Sequence, residues 1–154
     1  MHKYHKSKHL KCFVETILHL ANAQEALVEA GKEKVLVIDD SKSVRAAVRF
    51  ALKSLNLDII DAEDGAKALE LLSTEKHLKL AICDINMPNL NGIELLEVRN
   101  AKKIAPDVIF LMLTTANTRD LVTKAVQLGI KAWIIKPFTP EQLRSTVAKF
   151  LKRD

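Results

Sequence analysis

The stretch AICDINMPN, Ala81 to Asn89, sets an aspartate, Asp84, directly behind an apolar run that begins at Leu80. KVLVIDD, Lys34 to Asp40, repeats the device, with Asp39 and Asp40 behind Val35, Leu36, Val37 and Ile38. A lone ionised carboxylate is costly to bury. Three of them at the ends of apolar strands therefore call for a cation, a partner or a surface rim.

From Lys34 onward, short apolar runs alternate with helical periodicities in five β-then-α units. The first predicted strand, Lys34–Ile38, leads to a helix over Ser41–Leu55, where Val44, Val48, Ala51, Leu52 and Leu55 share one face. A second strand is predicted at Asp58–Asp61, and Asp64-Gly65 opens a helix carrying Ala68, Leu69, Leu71 and Leu72. Leu80–Cys83 is the third strand, and Pro88 forces a loop before a short helix with Ile93, Leu95, Leu96 and Val98. Val108–Leu113 suits a central parallel strand, and the helix after it, Thr118–Leu128, stops at Gly129. The fifth strand is Ala132–Ile135. Thr139-Pro140-Glu141-Gln142 then reads as a capping box with proline at the first helical position, opening a helix with Leu143, Val147, Phe150 and Leu151 inward.

Strands that alternate with helices imply an α/β fold with a parallel sheet covered on both faces. In such sheets ligands sit outside the carboxyl ends of the strands. Asp39, Asp40, Asp84, Thr114 and Lys136 all fall just past those ends, so they should converge on one rim.

Bulk composition is that of a soluble globular protein, with 48% hydrophobic and 28% charged residues in 154. The formal charge of +5 is mild, and Lys3, Lys6, Lys8 and Lys11 hold much of it, so nucleic acid is not an expected partner. Cys12 and Cys83 make no disulfide framework, which fits a reducing cytoplasm, and Cys83 reads as a small core residue. Leu10–Ala30 is interrupted by Glu15, Gln24, Glu25 and Glu29, so neither export nor a membrane-spanning helix is expected. The glycines Gly31, Gly65, Gly92 and Gly129 are scattered and form no phosphate-binding loop, which disfavours a nucleotide-binding enzyme.

Asp39, Asp40 and Asp84 are hard oxygen ligands of the kind that suits Mg²⁺. Two like charges about 5 Å apart at an effective dielectric of ~20 repel by roughly 3 kcal/mol, a strain that a divalent cation relieves. Lys136 adds a compact positive charge and Thr114 a hydroxyl, so three carboxylates, one Mg²⁺ and one lysine balance before any ligand arrives. Such a site is ready for a phosphoryl group, and Asp84 is the best placed nucleophile. Taken singly, each residue has a plainer reading: an aspartate at a strand end is commonly a helix cap, Thr114 a loop hydroxyl, Lys136 a surface lysine and Trp133 a packed aromatic.

Together VLVIDD, ICDINMPNLNG, LMLTTA and WIIKPF resemble, in order and spacing, the receiver domain of bacterial two-component response regulators, and within it the single-domain CheY-like members. The resemblance covers Lys34 to Leu151. It implies a flavodoxin-like sheet of order 2-1-3-4-5, which periodicity alone does not give. It further implies that Asp84 accepts a phosphoryl group from a sensor histidine kinase, and that Asp39, Asp40, Asp84 and the Asn86 backbone carbonyl serve Mg²⁺. Thr114 and Lys136 would hold phosphoryl oxygens, Trp133 would be the switch aromatic, and the Lys136–Pro137 bond would be cis. Trp133 stands where the family usually has tyrosine, phenylalanine or histidine. Ala116, which lies with Asn86 near the path of the hydrolytic water, stands where relatives often carry a longer polar side chain.

The function expected is a cytoplasmic, chemotaxis-type signalling switch, with self-phosphorylation and slow autodephosphorylation but no turnover catalysis. Its partners would be the kinase and either a flagellar motor switch protein or a histidine phosphotransfer protein, and it would be a monomer or weak dimer. With the sequence ending at Asp154, no DNA-binding output domain is expected. The runner-up is a phosphorelay shuttle. A phosphatase with an aspartyl-phosphate intermediate is less favoured, because the general acid such enzymes place two residues on is Asn86 here. Residues 1–31 form an extension outside the receiver, 32–154. Leu10, Phe13, Val14, Ile17, Leu18, Ala21 and Leu27 predict a helix there, stopped at Gly31, that either packs on the domain behind a basic tail or pairs with a partner or another copy. His2, His5 and His9 sit among lysines that oppose metal binding.

Overall fold

The computed structural model describes residues 5–153, so Met1–Tyr4, including His2 and the start of the basic tail, lie outside the described residues. The chain divides into two compact units between Lys32 and Glu33. Among its described residues the first holds one helix, α1 (His5–Ala30), so the lysines from Lys6 onward belong to helix rather than to a tail.

The second unit runs β1 (Lys34–Ile38), α2 (Lys42–Leu52), a 3₁₀ turn (Lys53–Leu55), β2 (Asp58–Ala62), α3 (Gly65–Thr74), β3 (Leu78–Cys83), α4 (Gly92–Ala101), β4 (Ile109–Thr114), α5 (Arg119–Gln127), β5 (Ala132–Ile135) and α6 (Pro140–Phe150). All four strand pairings are parallel and the order is β2-β1-β3-β4-β5, as the resemblance implied.

Two-residue periodicity sorts the core into two layers. Leu36, Ile38, Ala81, Cys83, Phe110 and Met112 face α3, α4 and α5. Val35, Val37, Leu80, Ile82, Leu111 and Leu113 face α2 and α6. The chain leaves β1 towards β2 and returns across it to β3, so a crevice opens at the carboxyl ends of β1 and β3, where the order reverses.

Several predicted boundaries shift. The helix predicted over Ser41–Leu55 begins at Lys42, because Ser41 is its N-cap and accepts from Val44 N–H, and its last turn tightens to 3₁₀. It ends on Asn56, which takes the left-handed conformation. β4 starts and stops one residue later than predicted, so Thr114 closes the strand instead of following it. The predicted capping box at Thr139 is half present: Thr139 Oγ1 accepts from Gln142 N–H, with Pro140 in the first turn. A full box stands at α4, where Asn91 Oδ1 accepts from Glu94 N–H and Glu94 Oε2 accepts from Asn91 N–H at 2.9 Å. Among the described residues no helix is long and apolar enough to cross a membrane.

Candidate metal and phosphoryl site

Backbone pairing carries the acidic residues to the crevice. Asp39 N–H donates to Ala62 O at 3.1 Å and Asp84 N–H to Ile38 O at 2.9 Å, which extends both strands by one rung. The carboxylates of Asp39, Asp40 and Asp84 come within 4.8 Å of one another. Asp39 and Asp84 are buried while Asp40 is exposed, so the cluster is a rim with a closed floor and an open mouth.

Each buried carboxylate is held twice. Asp39 Oδ1 accepts from Ser41 N–H at 2.8 Å and Asp84 Oδ1 from Asn86 N–H at 3.1 Å. Their other oxygens share one cation: Lys136 Nζ lies 2.6 Å from Asp39 Oδ2 and 3.0 Å from Asp84 Oδ2. Burial pulls the Lys136 pKa down, but the hydrogen bonds to Asp39 and Asp84, with their charges, outweigh it and hold the ammonium above its ordinary 10.5. Three carboxylates against one lysine leave a negative excess that matches a divalent cation. The donor set is all oxygen and open on one side, which suits an ion that keeps part of its water.

Thr114 is fully buried, and its Oγ1 accepts from Ala116 N–H at 3.2 Å. Lys136 N–H donates to Thr114 O, so β4 and β5 carry the hydroxyl and the ammonium to the same end of the sheet. The Lys136–Pro137 bond is cis. Trp133 is half-buried against the core layer shared with α3, α4 and α5, and its Nε1–H is buried without an acceptor. Asn86 Nδ2 donates to Thr115 Oγ1 at 3.3 Å, which bridges the loops after β3 and β4. The Cys83 thiol is shut in the core. Burial first, then the charges of Asp84 and Asp39, push its pKa far above the ordinary thiol range against the pull of Lys136, so it stays protonated and inert.

Two residues at the site do not stand out as site residues in the sequence pattern. Arg45 Nη1 donates to the Asp39 carbonyl at 2.7 Å while its Nε faces Asp61 at 3.7 Å, so α2 clamps the acidic turn from below. The one hint was a cation in the early turns of a helix with no acid in its first turn, where the macrodipole disfavours it.

Gly92 is the second. A Cβ there would fall 2.3 Å from Asp84 O and 2.9 Å from Ile85 Cα, both backbone atoms. Gly92→Ala should therefore cost about 2–3 kcal/mol in urea unfolding and displace the loop that carries Asp84. Wild-type stability in that variant would show that the loop yields freely.

An α/β sheet with acids at the β1 and β3 ends and a lysine after β5 is the arrangement that the resemblance implied, and comparison identifies the family. A family model for the response regulator receiver domain matches residues 35–148, and the chain belongs to that family. Among its relatives are a chemotaxis protein CheY homolog of Campylobacter jejuni, 36% identical over 119 residues that make up 77% of this chain and 92% of the relative. Chemotaxis protein CheY1 of Helicobacter pylori is 35% identical over 112 residues, 72% of this chain and 90% of that protein. The solved structure of Vibrio cholerae chemotaxis protein CheY4 superposes with a TM-score of 0.71 at 30% identity, covering 77% of this chain and 98% of the other.

Proposed function

We propose that this CheY-like receiver is a phospho-accepting switch in the cytoplasm, taking a phosphoryl group onto Asp84 from the phosphohistidine of a sensor kinase with Mg²⁺ bound. One observation carries the proposal: Asp39, Asp40 and Asp84 converge within 4.8 Å around Lys136, which alone does not neutralise them. The Asp39, Asp40 and Asp84 carboxylates, with the Asn86 carbonyl, would hold the ion. When bound, it supplies charge neutralisation on the transferring oxygens.

Asp84 is the nucleophile. Its carboxylate oxygen forms a bond to phosphorus as the bond from phosphorus to imidazole nitrogen breaks, and the imidazole leaves to be protonated from solvent. Lys136 already lies against Asp84 Oδ2 and can pass its hydrogen bond to a phosphoryl oxygen without leaving Asp39. Thr114 Oγ1 is held by a single backbone N–H and can turn to the same group. The output partner is a protein that recognises the phosphorylated face, and the chemotaxis proteins among the relatives make a flagellar motor switch protein the first candidate. Ala116 puts no polar side chain near the acyl phosphate, so water attack goes unassisted from that position.

Incubation with acetyl phosphate and Mg²⁺, followed by intact-protein mass measurement, should show a gain of one phosphoryl group that chelation of the metal prevents. Release of phosphate over many cycles would mark a phosphatase instead and contradict the proposal.

Trp133 is the single tryptophan, so its fluorescence reads out the coupling. A buried indole N–H without an acceptor costs about 1–3 kcal/mol, which favours any arrangement that hydrates or pairs it. Phosphorylation should therefore shift the emission of the wild type and leave that of Asp84→Asn unchanged. An emission indifferent to phosphorylation would separate Trp133 from the switch.

A further inference from the structure

The α1 helix carries an exposed apolar side. Phe13, Val14, Ile17, Leu18 and Leu20 are all exposed, from 49% at Ile17 to 64% at Phe13. At 100° per residue Leu10, Val14, Ile17, Ala21, Gln24 and Val28 follow alternating steps of four and three, the seam of a two-stranded coil. On one flank of that seam lie Lys11, Leu18 and Glu25, and on the other Phe13, Leu20 and Leu27.

We infer that α1 pairs with α1 of a second copy of the chain, antiparallel, in a register that sets Leu10 opposite Val28 and Ile17 opposite Ala21. Charge decides the direction. Flanks meet their own kind in an antiparallel pair, so Lys11 faces Glu25 of the other copy twice by symmetry, Leu18 meets Leu18, Leu20 meets Leu20 and Phe13 meets Leu27. A parallel pair would instead set Lys6 beside Lys11 and Leu20 beside Glu25, and would crowd the lysine-rich ends together. Gln24 is the one polar residue among those six, and it falls opposite Val14. The helix has 26 residues, ~39 Å of rise, and the two copies of Gly31 leave the pair at opposite ends.

The inference is independent of the phosphoryl chemistry, and its test is run on the full chain. Sedimentation equilibrium should show a dimer that Leu18→Glu converts to monomer while phosphoryl uptake stays at the wild-type level. Lys11→Glu and Glu25→Lys should each weaken dimerisation about fivefold, since each breaks both symmetry-related pairs, and the double reversal should restore it. In a Cys12→Ser background, mixed Leu10→Cys and Val28→Cys chains should oxidise chiefly to the mixed disulfide. A monomer at tens of micromolar, a double reversal no tighter than the singles, or a predominance of like-with-like disulfides would each overturn the proposal. So would a chain that stays monomeric while α1 binds anionic vesicles.

Discussion

Asp84→Asn should take up no phosphoryl group from acetyl phosphate under conditions that label the wild type to completion, because the amide is no nucleophile towards phosphorus. The same substitution should stabilise the metal-free protein. Asp84 has two like-charged neighbours, Asp39 and Asp40, and one opposite, Lys136, so its ionised form contributes a net repulsion of about 1 kcal/mol at an effective dielectric of ~20. Denaturant titration should show a higher midpoint with an unchanged slope, and Mg²⁺ should raise the wild-type midpoint but leave that of the variant where it is. Loss of both phosphoryl uptake and stability would instead say that the variant has lost its fold.

Lys136→Met should produce the second large effect. The lysine side chain is only 14% exposed and bridges carboxylates whose side chains are 3% and 8% exposed, so its removal strands two buried charges. The cost should be about 3 kcal/mol in metal-free buffer, the lower end of the range for breaking a buried pair, since the site opens at one side. Mg²⁺ should recover part of that loss and bind the variant roughly tenfold more tightly, because the ammonium no longer repels it. The pH dependence has a fixed sign. The folded-state pKa lies above 10.5, so the stability that Lys136 contributes is whole below 10.5 and is lost as pH climbs through the higher folded value. The gap between wild type and Lys136→Met should therefore close in alkali. A gap that widens there would assign the stabilisation to another group.

The sheet is legible because each strand is an apolar run and each helix an amphipathic one, and these signals are local. Asp39, Asp40, Asp84 and Lys136 are legible for a related reason: a charge directly behind an apolar strand has one place to go in a parallel sheet, the carboxyl-end crevice. The strand order is not local information, and only the resemblance to the receiver family implied it. Arg99 shows where sequence reading ends. It looks like an ordinary arginine near a helix C-terminus, yet it is buried, lies 4.7 Å from the Phe110 ring centroid and gives Nη2 to the carbonyls of Ala105, Pro106 and Val108. Burial pulls its pKa down from the usual value, and those carbonyls take the place of a counter-ion. Gly92 is similar: its small size matters because of the Asp84 carbonyl, and no local pattern records that approach. Asn91 caps α4 and so braces the loop that carries Asp84, a role that its own identity does not single out.

The identity of the phosphorylated side chain is the most direct test of the whole scheme. Treating the labelled protein with borohydride reduces an aspartyl phosphate to homoserine, and peptide mass mapping then locates it. Homoserine at position 84 alone, absent when metal is chelated, is the expected result; modification at Asp39 or Asp40, or at no aspartate, would contradict it.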